Sequence, residues 1–575
     1  MATFNPNDTT TLWQRWEMNS KNFPDRDAIV HWNAGEEPFR WSFKSIVDTA
    51  KKFSTFVKSA GVKPGEVCAI IIQHNKFFYP IYMGVSRTGA LPAVLAYPNP
   101  RLHPDKFRQG LEGMSLRSGL DYIFTERSLE SHIRPLVEKP GSTIKNIFFP
   151  LEWDLEKEID TVVDEEIEAA SKNISSTDPI LLQHSSGTTG LQKPVVLSHN
   201  AVLTHIKNLE TSLQLNDSDK IASWLPLYHD MGLIAAFHTP LAYGITSIQI
   251  DPFQWVLAPV IHLEAISAEK ATLCWQPNFA YNIFAEKIQD EELEGLSLES
   301  LRLSINCSEP VRSESHKKFL DRFQKYNFNP LALGACYAMA ETTFAVTQTI
   351  PGKPITELKV DRTKLVNGIV ELATENSIVR TCVSSGRLID ECQIKIVDDN
   401  RVELAPEMVG EIAIRSVSMF DGYRNYPEKT AEAVKDGWYF TGDYGFVYDG
   451  EYFIIGRKKD IIIVAGNNIF PEDVEDAVNQ VEGVIPGRVI AFAEDSEDMG
   501  TEQVAVVAET KADSDQEKNN IRLAVMKAGM AIGVNIHKVY LVPSRWLIKS
   551  SAGKPSRAAN KLRLSQQNDP QVWSR

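Results

Sequence analysis

The sequence predicts an α/β protein: a large N-terminal domain of helix-covered parallel sheets that carries a small β-rich subdomain, followed by a small α+β C-terminal domain. Three observations lead there. Over the first 180 residues, short apolar runs alternate with stretches of helical apolar spacing, the pattern of a parallel sheet covered by helices. From about residue 380 the texture changes to short strands broken by turns. A chain of 575 residues is also too long for a single hydrophobic core. The expected divisions are residues 1–456, with the β-rich part at about 380–456, and residues 457–575.

Phe43 to Ala60 has helical spacing and ends near Gly61; Val67 to Ile72 reads as a short apolar strand and Phe77 to Gly89 as the next helix. Ala93-Val94-Leu95 and Tyr122-Ile123-Phe124 are further strands. Residues 152–173, with Asp164-Glu165-Glu166, read as a solvated connector or helix face. Ile180 to Gln183 is a buried strand, Asn200 to Leu213 a helix, and Ile221 to Leu225 another strand. In the β-rich part, Gln393 to Val397 and Gly410 to Ile414 flank the turn Asp398-Asp399-Asn400. A second boundary is expected near Gly456-Arg457-Lys458-Lys459-Asp460.

Composition removes several classes of function. With 60 Lys and Arg against 75 Asp and Glu the net charge is −15, which argues against nucleic acid and against anionic membrane surfaces as partners. No apolar run reaches the length of a membrane span, and the first residues lack the basic and apolar parts of a signal peptide, so a cytoplasmic protein is expected. Six scattered cysteines without a Cys-x-x-Cys pair read as reduced, buried thiols.

The chemistry concentrates first between residues 184 and 199. Gly187 and Gly190 stand among Ser185, Ser186, Thr188 and Thr189, and Lys193 follows. Glycines let backbone N–H groups close on an anion, hydroxyls donate to phosphate oxygens or bind a metal, and the lysine adds charge. Gln192 before the lysine and Pro194 after it exclude a Walker A loop. Such a cluster alone is better explained by a polar surface turn. The spacing Ser-Gly-Thr-Thr-Gly-x-x-Lys-x-Val-x-x-Ser-His, however, resembles the phosphate loop of the adenylate-forming superfamily, the acyl-CoA synthetases, carrier-protein ligases and luciferases.

That resemblance implies further motifs in a fixed order, and they are present. Cys336 to Thr342 resembles the Tyr-Gly-x-Thr/Ala-Glu motif, implying that Tyr337 and Ala338 lie against adenine and that Glu341, together with Thr188, meets Mg²⁺. Ala338 replaces the usual glycine. Cys307-Ser308-Glu309-Pro310 resembles the segment flanking adenine. Trp438 to Asp443 resembles the ribose motif, implying that Asp443 accepts from both ribose hydroxyls, and Arg457 is implied to touch ribose and phosphate. Lys459 is implied as the hinge about which a mobile C-terminal domain turns. Ser550 to Pro555 resembles the catalytic lysine loop, in which Lys554 would offset charge growing on the α-phosphate. His229 and Asp230 would border the acyl and metal sites, with Lys193 on the phosphates.

Trp224 to Ile234, Gln276 to Tyr281 and Glu309 to Arg312 resemble the fatty acyl-AMP ligase branch. The implied reaction uses ATP and Mg²⁺ to convert a carboxylic acid, of fatty type, into acyl-AMP with release of pyrophosphate. Transfer to the phosphopantetheine of an acyl carrier protein would follow. Trp224, Met231, Trp275, Asn278 and Phe279 are the expected acyl-site residues. Trp275 and Gln276 stand where the long-chain branch has small residues, which would shorten or redirect the acyl tunnel. Ile350 to Val383 is longer than the same connection in CoA ligases and is expected to be an irregular inserted loop. Arg545, Lys549, Lys554 and Arg557 are the candidates for a basic patch that steers the acceptor. Two rivals stand beside this reading: an acyl-CoA synthetase, and a non-catalytic nucleotide-binding module, which would be expected to lack Lys554 or Glu341.

Overall fold

The computed structural model describes residues 4–98, 104–184, 193–464, 467–496, 501–549, 555–565 and 572–574. Among these the α/β class holds. A nine-stranded sheet runs in the order Arg387–Leu388, Ala345–Gln348, Leu333–Ala338, Leu303–Asn306, Leu273–Gln276, Lys220–Ser223, Thr246–Ile250, Asp27–Trp32 and Phe39–Ser42, parallel through its centre and antiparallel at its edges. A four-stranded parallel sheet is built on Val67–Ile71, whose five residues are all buried, as expected for a strand covered on both faces. The helix Phe43–Ser59 covers this region. Ser42 caps it by accepting from the Ser45 N–H at 3.1 Å, and Gly61 in the left-handed region ends it.

A third, antiparallel sheet joins Gly422–Tyr423, Pro194–Ser198 and Pro179–His184. The expected strand over Ile221 to Leu225 stops at Ser223. There the Ser223 hydroxyl accepts from the Leu225 N–H at 3.1 Å, and Pro226 offers no ladder donor. Trp224 leaves the sheet and stacks on Trp255, ring centroids 3.5 Å apart.

The β-rich part is an antiparallel sheet of Cys392–Val397, Gly410–Ser416, Trp438–Tyr448 and Val434–Lys435, with Glu451–Arg457 pairing on Trp438–Tyr448. After it, Val484–Ser496, Thr501–Thr510, Ile536–Pro543 and Trp573–Ser574 form a sheet covered by the helices Pro471–Asn479 and Asp515–Ala531.

The segment Ile350 to Val383 corrects the expectation of an irregular loop. Glu357–Asp361 pairs with Val379–Val383, and Asp361 caps the short helix Arg362–Val366. Val360, Leu365, Val370 and Cys382 share a core with Phe446, Phe453, Ile455 and Phe470, so the segment is held by packing. Two of its arginines meet one carboxylate of the helix Pro471–Asn479: Arg362 lies 3.0 Å and Arg380 2.9 Å from Asp473. Arg312 pairs with Asp476 of the same helix. Among the described residues no helix is long and apolar enough to cross a membrane. All six cysteines are buried, and none is in a disulfide.

Candidate active site

Three residues far apart in sequence converge where the nine-stranded sheet meets the β-rich part. Tyr337 lies near the end of Leu333–Ala338, and its hydroxyl donates to Asp443 Oδ2 at 2.7 Å. Asp443 stands opposite Arg457 in the ladder, and Arg457 Nε lies 3.1 Å from its Oδ1. Asp443 is presented by a kink at Gly442, whose φ of +72° favours glycine. The Gly442 N–H donates to Glu411 Oε1, and the Asp443 N–H to the Thr441 hydroxyl. Asp443 pushes the Arg457 guanidinium up, whereas burial, and then Asp443, pushes the Tyr337 phenol up. The site therefore holds a neutral aromatic ring beside a carboxylate and a fixed cation.

Glu341 is the second centre. It sits buried in the one-turn helix Ala340–Thr342, and its Oε1 accepts from the Tyr423 hydroxyl at 2.7 Å. Lys193 Nζ stands 4.6 Å from the centroid of the Tyr423 ring. Strand pairing explains the alignment: Tyr423 faces Val195 across the ladder, which brings the end of the Gly-rich stretch to the glutamate. Tyr423 was not legible in the sequence, where Asp421-Gly422-Tyr423 looks like any turn followed by a strand. Pro194, a departure from the family pattern, heads its strand opposite His184, a position where a missing N–H is tolerated. Its carbonyl accepts from the Arg424 N–H at 2.9 Å. Ser185, Ser186, Gly187, Thr188, Thr189, Gly190 and Lys554 lie outside the described residues.

His229, Asp230 and Met231 follow the Trp224 turn. Asp230 Oδ1 accepts from the Met231 N–H at 2.8 Å, and His229 Nδ1 lies 2.6 Å from the same oxygen, off the alignment of a hydrogen bond. Gly232 has no alternative here, because a Cβ would stand 2.4 Å from the Pro226 carbonyl oxygen. Ser308, with φ of +70°, points its hydroxyl at Met231 Sδ, 3.8 Å away. Glu309 Oε2 accepts from the Phe279 N–H at 3.0 Å, at the start of the helix Asn278–Lys287, and Pro310 follows it towards Arg312. Asn278 Oδ1 accepts from both the Arg312 N–H and Asn306 Nδ2, each at 3.0 Å, so this corner is tightly held.

Phe279 meets the stacked Trp224 and Trp255 edge-on, at 6.2 and 6.1 Å. Trp275 is wholly buried on Leu273–Gln276 with its ring edge towards Phe344, and Ala338 closes the Tyr337 strand, half-buried. Lys459 lies in the single turn Lys458–Asp460; burial, then Arg457, lowers its ammonium.

The expected basic patch is corrected in part. Arg557 is consumed internally, within 2.8–2.9 Å of Asp460, Glu472 and Glu475. Burial, then Arg488, lowers Lys549 to about 8, whereas Arg545 is exposed.

The AMP-binding enzyme family matches residues 16–424 of this chain. The chain belongs to that family. A probable long-chain-fatty-acid–AMP ligase of Mycobacterium tuberculosis, FadD30, is 30% identical over 570 residues, covering 93% of this chain and 95% of its own. JamA of Moorena producens, a medium-chain-fatty-acid–[acyl-carrier-protein] ligase, is 29% identical over 558 residues, covering 92% and 91%. Other relatives carry acyl-CoA synthetase or fatty-acid–CoA ligase names. A solved structure from work on fatty acyl-adenylate ligases of E. coli and L. pneumophila shares the fold, with a TM-score of 0.85 at 22% identity over 97% of this chain and 98% of that one. This AMP-binding enzyme is a ligase.

Asp443→Ala is expected to weaken ATP binding by about one to two decades, from the ~1.5–3 kcal/mol of a lost charged hydrogen-bond pair. Tyr337→Phe, which keeps the ring and loses only the hydroxyl, should change affinity far less. Calorimetric titration with ATP checks both, and unchanged affinity in Asp443→Ala would reduce Thr441-Gly442-Asp443 to a turn.

Proposed function

We propose that this enzyme activates a carboxylic acid of fatty type as its acyl-adenylate and then passes the acyl group to the phosphopantetheine thiol of a carrier protein. The observation that carries the nucleotide half is the convergence of Tyr337, Asp443 and Arg457. An aromatic face, a carboxylate with lone pairs left for two hydroxyls, and a guanidinium are the groups that adenine, ribose and phosphate require. Lys193 lies on the phosphate side, and Glu341 offers Mg²⁺ a hard oxygen beside Tyr423. Bound there, the metal would neutralise charge on the phosphates. His229 and Asp230 border the acid, and Ser308, Glu309 and Pro310 fix the loop beside adenine. The acyl chain runs past Met231, Asn278 and Phe279 towards Trp224, with the buried Trp275 limiting its depth. Lys554 supplies its charge as the α-phosphorus becomes five-coordinate.

Support for the carrier protein over coenzyme A comes from the insertion. Its two arginines grip Asp473, and Arg312 grips Asp476, so the part of the chain that would turn about Lys459 is held in place. A small soluble thiol gains most from free rotation of that part, whereas a folded carrier brings binding energy of its own to release it. With acid, ATP and Mg²⁺, the enzyme is expected to accumulate acyl-AMP, leave coenzyme A almost untouched and load a phosphopantetheinylated carrier protein. Mass spectrometry of both acceptors in parallel decides the point, and rapid formation of acyl-CoA would make this an acyl-CoA synthetase.

A further inference from the structure

Two of the six cysteines meet at the candidate nucleotide site. Leu303–Asn306 and Leu333–Ala338 are parallel neighbours in which Ser304 pairs with Leu333 and Asn306 with Ala335. One position further on, Cys307 and Cys336 come side by side, and because faces alternate along a strand both side chains emerge on the same face. Both residues are buried, at 0% and 3% exposure. The pair is held from both sides: the Cys307 N–H donates to the Gln276 carbonyl at 3.1 Å, and Cys336 is paired to Gln348 on the other edge of its strand. The Ser308 hydroxyl lies 4.0 Å from Cys307 Sγ and 3.8 Å from Met231 Sδ, so a third sulfur stands beyond it.

We propose that Cys307 and Cys336 form a chelating dithiol for a thiophilic centre, of which a trivalent arsenical is the simplest probe, and that its occupation excludes the nucleotide. The exclusion clause rests on the reading of Tyr337 and Ser308 as walls of the adenine pocket. A trivalent arsenic centre holds two thiolates on one atom, and side chains that emerge on one face of neighbouring strands suit such a bridge. Burial pushes the Cys336 thiol up, so its proton has to leave when a thiophilic centre binds.

With phenylarsine oxide two As–S bonds form, two S–H bonds break and the arsenic-bound oxygen leaves as one water. Arsenic stays trivalent, so no oxidant is needed. The bridge would fix the segments that carry Ser308 and Tyr337 and would cover the face on which a purine is proposed to lie.

The test is intact-mass spectrometry of the full-length enzyme with equimolar phenylarsine oxide. One adduct per chain is expected, at the mass of the reagent less one water and reversible by a small dithiol. Cys307→Ser and Cys336→Ser should each weaken retention by roughly a hundredfold, because two-point attachment is lost. Cys274→Ser, on the neighbouring strand and bonded to Ser304, should retain the adduct. Cys307→Ala and Cys336→Ala, with thermal unfolding followed in parallel, separate loss of the site from loss of the fold. No adduct on the wild-type chain, or an adduct that persists in both single variants, overturns the proposal. Prior saturation with ATP should slow capture in step with occupancy. Capture that ATP leaves unchanged would overturn the exclusion, and with it the adenine assignment of Tyr337, while the mass result on the chelate stands separately.

Discussion

Alanine at Lys554 is expected to lower the rate of acyl-adenylate formation by about two to three orders of magnitude while ATP affinity falls little. The two effects separate because the charge that this lysine meets is small in the ground state and grows as carboxylate and α-phosphate join. An interaction made mainly in the transition state changes turnover, not binding. Loss of one positioned donor to a developing oxyanion costs ~2.7–4 kcal/mol, which is that range of rate. On the proposed reading Lys193, Arg457 and Asp443 would engage the nucleotide before reaction begins and would hold ATP in the variant. Pyrophosphate release from acid and ATP, with calorimetry of ATP alone, gives both quantities. Near-normal release would remove Lys554 from the chemistry, and a parallel collapse of affinity would make it a binding residue.

Much of the fold and site could be read from residues 43 to 464 because the signals there are local. Val67–Ile71 announces itself as a short apolar run, and Phe43–Ser59 by its periodicity. Asp443 and Arg457 could be picked out singly because Thr-Gly-Asp and Gly-Arg-Lys-Lys-Asp are contiguous. Their ladder pairing could not, since register is a property of two strands. Tyr423 was missed for the same reason: nothing adjacent to it shows that Glu341, 82 residues away, takes its hydroxyl. The segment Ile350 to Val383 reads as a loop in the sequence because its hairpin is half exposed and its buried positions, Val360, Leu365 and Val370, are too few to show a period. Arg557 reads as a surface residue because charge runs normally lie there. Three carboxylates from two other segments draw it inward, and sequence distance conceals all of them.

The arginine grip on Asp473 yields a large expected stability effect. Asp473 lies in the first turn of Pro471–Asn479, where the helix N-terminus also favours its charge, and the side chains of Arg362, Arg380 and Asp473 are 9%, 10% and 6% exposed. Removing the shared anion with Asp473→Ala leaves two cations buried against each other, and breaking a buried pair in this way costs about 3–5 kcal/mol. The cost falls on the junction and not on either core, because the insertion packs on Phe446, Phe453, Ile455 and Phe470 while the C-terminal sheet has its own cluster around Val474, Val489 and Val506. The variant should therefore show earlier cleavage by a protease between about residues 457 and 470, with the N-terminal fragment remaining folded. If the grip restrains rotation about Lys459, coenzyme A should also become a measurable acceptor, by tenfold or more over the wild-type trace. Arg312→Ala, which leaves Asp476 without its cation, should move both readouts in the same direction and by less, since one pair is lost and Arg312 is the more exposed. Faster proteolysis with coenzyme A still refused would leave the ion pairs as purely structural and return the choice of acceptor to the surface that receives it.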